Sequence, residues 1–125
     1  MVKRVGEKIT ALNFFQRQYL ENGLNAQRRY PNEEFCRFMG RNFFNTPIEK
    51  RNDIKILEVG CGSGANLWMI ANEGFHAIGV DISSNAIELC EQMLSKYMCS
   101  ASLHVADMTS LPVDLESLDC VVDVF

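Results

Sequence analysis

The spacing of hydrophobic positions changes rhythm once along the chain, at the polar stretch TPIEKRND over residues 46–53. Before it the spacing is helical. Leu12, Phe15, Tyr19 and Leu20 form a rough stripe that predicts a helix over 8–22, followed by a turn at Glu21-Asn22-Gly23. Pro31-Asn32-Glu33-Glu34 predicts a second helix start, with Asn32 as its N-cap and acids in its first turn. Phe35, Phe38, Met39 and Phe43 then fall on one face, which reads as core. After residue 53 strands and helices alternate. Ile54–Val59 reads as a buried strand, 64–73 as a helix stopped by Gly74, and Phe75–Val80 as a second strand. A helix follows over 84–98, with Ile87, Leu94 and Met98 inward, then strands over Ala101–Ala106 and Leu118–Val124. This order predicts an α/β fold with a parallel sheet and right-handed crossovers. The chain divides into an N-terminal helical cap or lid over 1–52 and an α/β core over 53–125.

Composition narrows the class without naming a function. With 125 residues, 47% apolar and 22% charged, the chain suits one globular domain and not a disordered or fibrous one. No apolar run approaches the roughly 18 residues of a membrane span. The opening MVKRVGEKITALNFF lacks the apolar core of a secretory signal. Cys36, Cys61, Cys90, Cys99 and Cys120 are widely spaced, odd in number and free of any C-x-x-C pair. Neither a disulfide framework nor a zinc site is expected, most are read as small core residues, and a cytoplasmic location fits. Charge is unevenly placed. Residues 1–52 hold ten Lys/Arg against five Asp/Glu, and 53–125 hold two against eleven. The basic residues are scattered, so the expected picture is a basic helical segment on an acidic domain.

The chemistry concentrates in Glu58-Val59-Gly60-Cys61-Gly62-Ser63-Gly64, where a buried strand runs into three glycines and then a helix. Glycine there permits positive φ and close approach of a ligand to the backbone. At the carboxyl end of the first strand of an open α/β sheet, such a turn is a nucleotide-cofactor site. Asp81 closes the second strand, where an acid accepts hydrogen bonds from ribose hydroxyls. Residues 60–65 also match the looser G-x-G-x-x-A form, so a nicotinamide or flavin oxidoreductase is the competing reading. Two features oppose it. Glu58 would crowd a pyrophosphate but suits a cationic amino group, and no Lys or Arg occurs between Lys55 and Lys96.

The run EVGCGSG followed by GVDIS resembles the class I S-adenosylmethionine-dependent methyltransferases. Ala106-Asp107-Met108, Leu111-Pro112 and Leu118–Asp123 resemble that family's third and fourth strands in the right order. The resemblance covers 53–125 and implies a Rossmann-like sheet of order 3-2-1-4 with flanking helices. It implies S-adenosylmethionine as methyl donor. Glu58 would bind the methionine amino group, and Gly60, Cys61, Gly62 and Gly64 would wall the methionine part. Asp81 would take the ribose, with Ile82 on the adenine. Asp107 would take the adenine amino group, and Met108 would lie by the ring. Asp123 and Val124 would stand near the sulfonium.

The expected function is methyl transfer to a small-molecule acceptor, with a non-catalytic cofactor-binding fragment as the alternative. A nucleic-acid acceptor is disfavoured because the α/β part is acidic, and no membrane partner is expected. The sequence names no catalytic residue and no metal site. His76 and His104 lie within strands and are read as structural, and Cys61 as a small residue of the turn rather than a nucleophile. Arg28-Arg29-Tyr30-Pro31 is a candidate lid. The resemblance also implies three further strands beyond the fourth. The chain is accordingly expected to be the N-terminal piece of an enzyme of roughly 200–250 residues, a common domain size. Self-association through an exposed fourth strand is the alternative.

Overall fold

A computed structural model describes residues 28–124. The helix expected over 8–22 lies outside the described residues. Helix α1 spans Glu33–Phe43, and a 3₁₀ turn over Ile48–Asp53 leads into strand β1, Lys55–Val59. Helix α2, Leu67–Asn72, precedes β2, His76–Asp81. Helix α3, Ser84–Lys96, precedes β3, Ser102–Val105. A loop with a 3₁₀ turn at Leu115–Ser117 reaches β4, Cys120–Asp123. The four strands form one sheet in the order β3-β2-β1-β4, every pair parallel. The α/β sheet and its strand order agree with the reading of the sequence.

Strand alternation sends side chains to two faces. Ile56 and Ala77 join Phe35 and Met39 of α1, Leu67 and Ile70 of α2, and Ile87, Cys90 and Leu94 of α3. Leu57, Val59, Ile78 and Val80 pack instead against Ala106, Leu111, Val113 and Leu118. Burial on both faces explains why β1 and β2 read as continuous apolar runs. Gly79 sits at a tight crossing. A Cβ there would fall 2.7 Å from Leu67 and 3.0 Å from both Cys61 and Leu103.

Local signals set the helix ends. Asn32 caps α1 by accepting from the Phe35 N–H at 3.1 Å, and Glu33 and Glu34 occupy the first turn. Ser83 caps α3 by accepting from the Ala86 N–H at 3.2 Å. After α2, Gly74 adopts φ 97°, the Gly74 N–H reaches the Ala71 carbonyl, and the Phe75 N–H reaches that of Ile70. This is a Schellman closure.

The same closure ends α3 with a less suited residue. Cys99 N–H donates to the Leu94 carbonyl and Met98 N–H to that of Ser95, with Met98 at φ 52°. Met98, expected to face inward on a helix reaching residue 98, is therefore turned outward and is 94% exposed. The helix stops at Lys96 because its carbonyls are closed by the turn. A left-handed non-glycine residue is strained, so Met98→Gly is expected to stabilise the fold by about 1 kcal/mol. A urea midpoint that does not rise would contradict this account of the turn.

Two further expectations change. Helix α2 begins at Leu67 rather than at residue 64, because Gly64 has φ 89° and cannot sit in a right-handed helix. Cys36 is the exception among cysteines read mostly as core, exposed on α1 and 3.9 Å from the Met69 sulfur. The segment TPIEKRND also hides a structural cation. Arg51 is buried, donating to the carbonyls of Thr46, Phe44 and Glu73 and to the Glu73 carboxylate at 2.9–3.1 Å. Its guanidinium lies 5.1 Å over the Phe75 ring. Among the described residues, no helix is long and apolar enough to cross a membrane.

Candidate cofactor site

Strand β1 ends in the glycine turn, and each glycine there does a different job. Gly60, Gly62 and Gly64 have φ of 66°, 56° and 89°. A Cβ on Gly60 would meet nothing within 4 Å, so this glycine opens the backbone to a cleft. A Cβ on Gly64 would fall 2.7 Å from the Cys90 sulfur, so this one lets the turn lie against α3. The turn is tied to β2 by Cys61 N–H donating to the Val80 carbonyl at 3.1 Å. Gly62 N–H donates to Asp81 Oδ2 at 2.9 Å. Asp81 Oδ1 accepts from Ser83 N–H at 2.9 Å. Asp81 thus holds the turn in shape, and each carboxylate oxygen keeps a second lone pair for a ligand.

Five of the predicted residues meet at one cavity of about 320 Å³: Gly60, Asp81, Ile82, Asp107 and Met108, joined by Val80 and Ala106. Ile82 and Met108 present apolar surface to solvent, a suitable pair to flank a flat ring. Asp107 Oδ1 accepts from both the N–H and the hydroxyl of Thr109 at 2.9 Å, which fixes its carboxylate. Asp123 and Val124 do not join this cavity. They line another, of about 430 Å³, between β4 and α1, together with Asn32, Glu34, Phe35 and Phe38.

Glu58 lies buried on β1, only 1% exposed. Its Oε2 accepts from Asn66 Nδ2 at 2.9 Å, while Oε1 is buried with no hydrogen-bond partner. Burial pushes its carboxyl from the ordinary 4.5 up to about 8, and the carboxylates of Asp81 and Asp123 push the same way. The Asn66 hydrogen bond and the Arg28 charge pull it back in part. A buried carboxyl of this kind is costly to ionise unless a cation meets it, and without one it keeps its proton.

Cys61 is buried, and its thiol is pushed well above the ordinary range by a hydrogen bond with Cys90 and by burial. A thiol so held is a poor nucleophile, in keeping with its reading as a small residue. Asn66 carried no role in the reading of the sequence. It stands out only as a polar residue at the head of an apolar helix, and its partners are distant in sequence. Of the candidate lid, Tyr30 is exposed and the Arg29 carbonyl accepts from Trp68 Nε1 at 2.9 Å. Trp68 in turn stacks on Tyr97 with ring centroids 3.9 Å apart. Among the described residues no cluster of His, Cys, Asp or Glu could hold a metal ion.

Comparison with known proteins decides the family. The profile described as a methyltransferase domain matches residues 56–125. The chain belongs to the class I S-adenosylmethionine-dependent methyltransferase family. A relative of this chain is phosphoethanolamine N-methyltransferase 1 of Arabidopsis thaliana. The two are 29% identical over 108 residues, 83% of this chain and 22% of that one. A structure solved in work on converting a disulfide bond into a thioacetal group during echinomycin biosynthesis superposes with a TM-score of 0.70. It is 20% identical, over 91% of this chain and 47% of that one. Magnesium protoporphyrin IX methyltransferase of Synechocystis PCC 6803, solved with bound SAM, superposes with a TM-score of 0.63. It is 15% identical, over 98% of this chain and 64% of that one. The chain thus spans less than two thirds of the length of each. Its own residues fit the family's methyl donor on two counts. The orphaned Glu58 oxygen suits an ammonium, and the Gly60 backbone is bare where it lines the cavity.

Proposed function

We propose that this chain binds the methyl donor of a methyltransferase acting on a small-molecule acceptor. S-adenosylmethionine supplies a methyl group already activated on a sulfonium. The chain's own residues bind and orient. Glu58 Oε1 accepts from the methionine amino group, and the backbone of Gly60, Cys61 and Gly62 walls the methionine portion, with Gly64 holding that wall on α3. Asp81 accepts from the ribose hydroxyls. Ile82 and Met108 flank the adenine, and Asp107 accepts from its amino group. Asp123 and Val124 face the acceptor side. The described residues ahead of β1, 28–52, act as a cap over this core. In-line displacement needs the nucleophile held close to the methyl carbon, so positioning supplies much of the rate.

The observation that carries this reading is the buried Glu58 oxygen without a partner, set two residues before the bare Gly60 backbone. A pyrophosphate cofactor would place anionic charge where Asp81 and Asp123 already oppose ionisation of Glu58. A small-molecule acceptor is supported by the relative named for phosphoethanolamine. The acidic core, with two Lys and eleven Asp/Glu over 53–125, supports the exclusion of nucleic acid. Calorimetric titration with S-adenosylhomocysteine and, in parallel, with NADH tests the reading. Binding of the first alone is expected; binding of NADH in its place would replace the methyltransferase reading with an oxidoreductase one.

A further inference from the structure

Asn66 occupies the N-cap position of α2 yet caps nothing there. Its backbone is already helical, at φ −87° and ψ −36°. Both ends of its buried amide are turned elsewhere. Oδ1 accepts from the Asn32 N–H at 2.8 Å, and Nδ2 donates to Glu58 Oε2 at 2.9 Å. The orientation is chemically forced. A backbone N–H can only donate, so it requires the amide oxygen, which turns the NH₂ toward an acceptor. Asn32 then passes the connection on, because its own Oδ1 caps α1 at the Phe35 N–H. One hydrogen-bonded path therefore joins the orphaned carboxylate of the cofactor site to the head of α1. Asn32 and α1, through Phe35 and Phe38, form one wall of the 430 Å³ cavity whose other wall carries Asp123 and Val124.

We propose that Asn66 is a positioning residue that couples occupancy of the cofactor site to docking of α1, so that a bound cofactor firms the acceptor-side wall. The proposal rests on the function proposed above. A cation at Glu58 Oε1 holds the carboxylate ionised. The Asn66–Glu58 bond then becomes charge-assisted and stronger. Polarisation of the amide strengthens its other bond, to Asn32, in the same sense. The charged groups within reach of Glu58 are Asp81 on β2, Asp123 on β4 and Arg28 ahead of α1. The Cys61 thiol, pushed up in part by Glu58, stays neutral. None of these bridges Glu58 to Asn32 as Asn66 does.

The test is amide hydrogen exchange of the chain with and without S-adenosylhomocysteine, on wild type, Asn66→Ala and Asn66→Asp. In wild type the ligand is expected to slow exchange at Asn32 and Phe35. Asn66→Asp keeps an acceptor for the Asn32 N–H but loses the donor to Glu58, and Asn66→Ala loses both. Both variants are expected to bind the ligand about tenfold more weakly and to lose the response at α1. Because Asn66 lowers the Glu58 proton affinity, the acidic limb of ligand affinity should also move to higher pH in both. A merely structural Asn66 would leave that limb in place. Ligand binding with unchanged exchange at Asn32 and Phe35 in wild type would overturn the proposal whether or not the variants fold. So would a response that survives in Asn66→Ala. Failure of wild type to bind the ligand at all would instead remove the functional reading, and this proposal with it.

Discussion

Replacing Asp81 by alanine is expected to weaken binding of S-adenosylhomocysteine on the order of 100-fold, with little change in the fold of the sheet. The magnitude follows from what the carboxylate does. It accepts from Gly62 N–H and from Ser83 N–H, each at 2.9 Å, and keeps one lone pair on each oxygen for a ribose hydroxyl. Hydrogen bonds to an ionised group contribute about 1.5–3 kcal/mol each, so losing the ribose pair alone accounts for about 3 kcal/mol. Loss of the Gly62 bond adds a looser turn. Asp81→Asn separates the two contributions, because it keeps one acceptor and removes the charge. It should fall between wild type and alanine. Equal affinity of wild type and Asp81→Ala by calorimetry would show that the ribose is held elsewhere.

The second large effect concerns pH and comes from Glu58. Its carboxyl is raised from the ordinary 4.5 to about 8, chiefly by burial and further by the charges of Asp81 and Asp123. Between those two values the folded chain retains a proton that the unfolded chain releases. Stability of the unliganded chain therefore falls as pH rises through this window. The contribution is fully present below 4.5 and gone above about 8. The slope for one proton approaches about 1.4 kcal/mol per pH unit, so the whole effect is on the order of a few kcal/mol. Glu58→Gln carries no titrating group and is expected to flatten the curve, leaving it more stable than wild type at pH 8. The same substitution should weaken S-adenosylhomocysteine, since a neutral amide is a poorer partner for its ammonium. Urea unfolding of both proteins at several pH values checks the first point. Parallel slopes for the two would mean that Glu58 is not the group responsible.

The sheet and most of the residues that share the candidate cavity were legible because their signals are local. Ile56–Val59 and Ala77–Val80 read as strands because both faces are covered, and Asn32 and Gly74 work within their own turns. Gly60, Asp81, Ile82, Asp107 and Met108 share a cavity because parallel strands in this order bring their carboxyl ends together. What escaped depends on partners far apart in sequence. Asn66 meets Asn32 across 34 positions, and Arg51 meets Glu73 across 22. No periodicity marks such polar groups for burial. Met98 escaped for another reason. A helical stripe predicts an inward residue, whereas a Schellman closure at the same place turns it outward. Asp123 and Val124, expected near the sulfonium, line the cavity facing α1, with Asp123 in register with Val59.

The most direct test of the central claim is amide chemical-shift mapping of the ¹⁵N-labelled chain on titration with S-adenosylhomocysteine. The account predicts the largest shifts at Gly60, Gly62, Asp81, Ile82, Asp107 and Met108, with smaller ones at Asn66 and Asn32. Saturable shifts confined to other residues, or none in a folded chain, would contradict it.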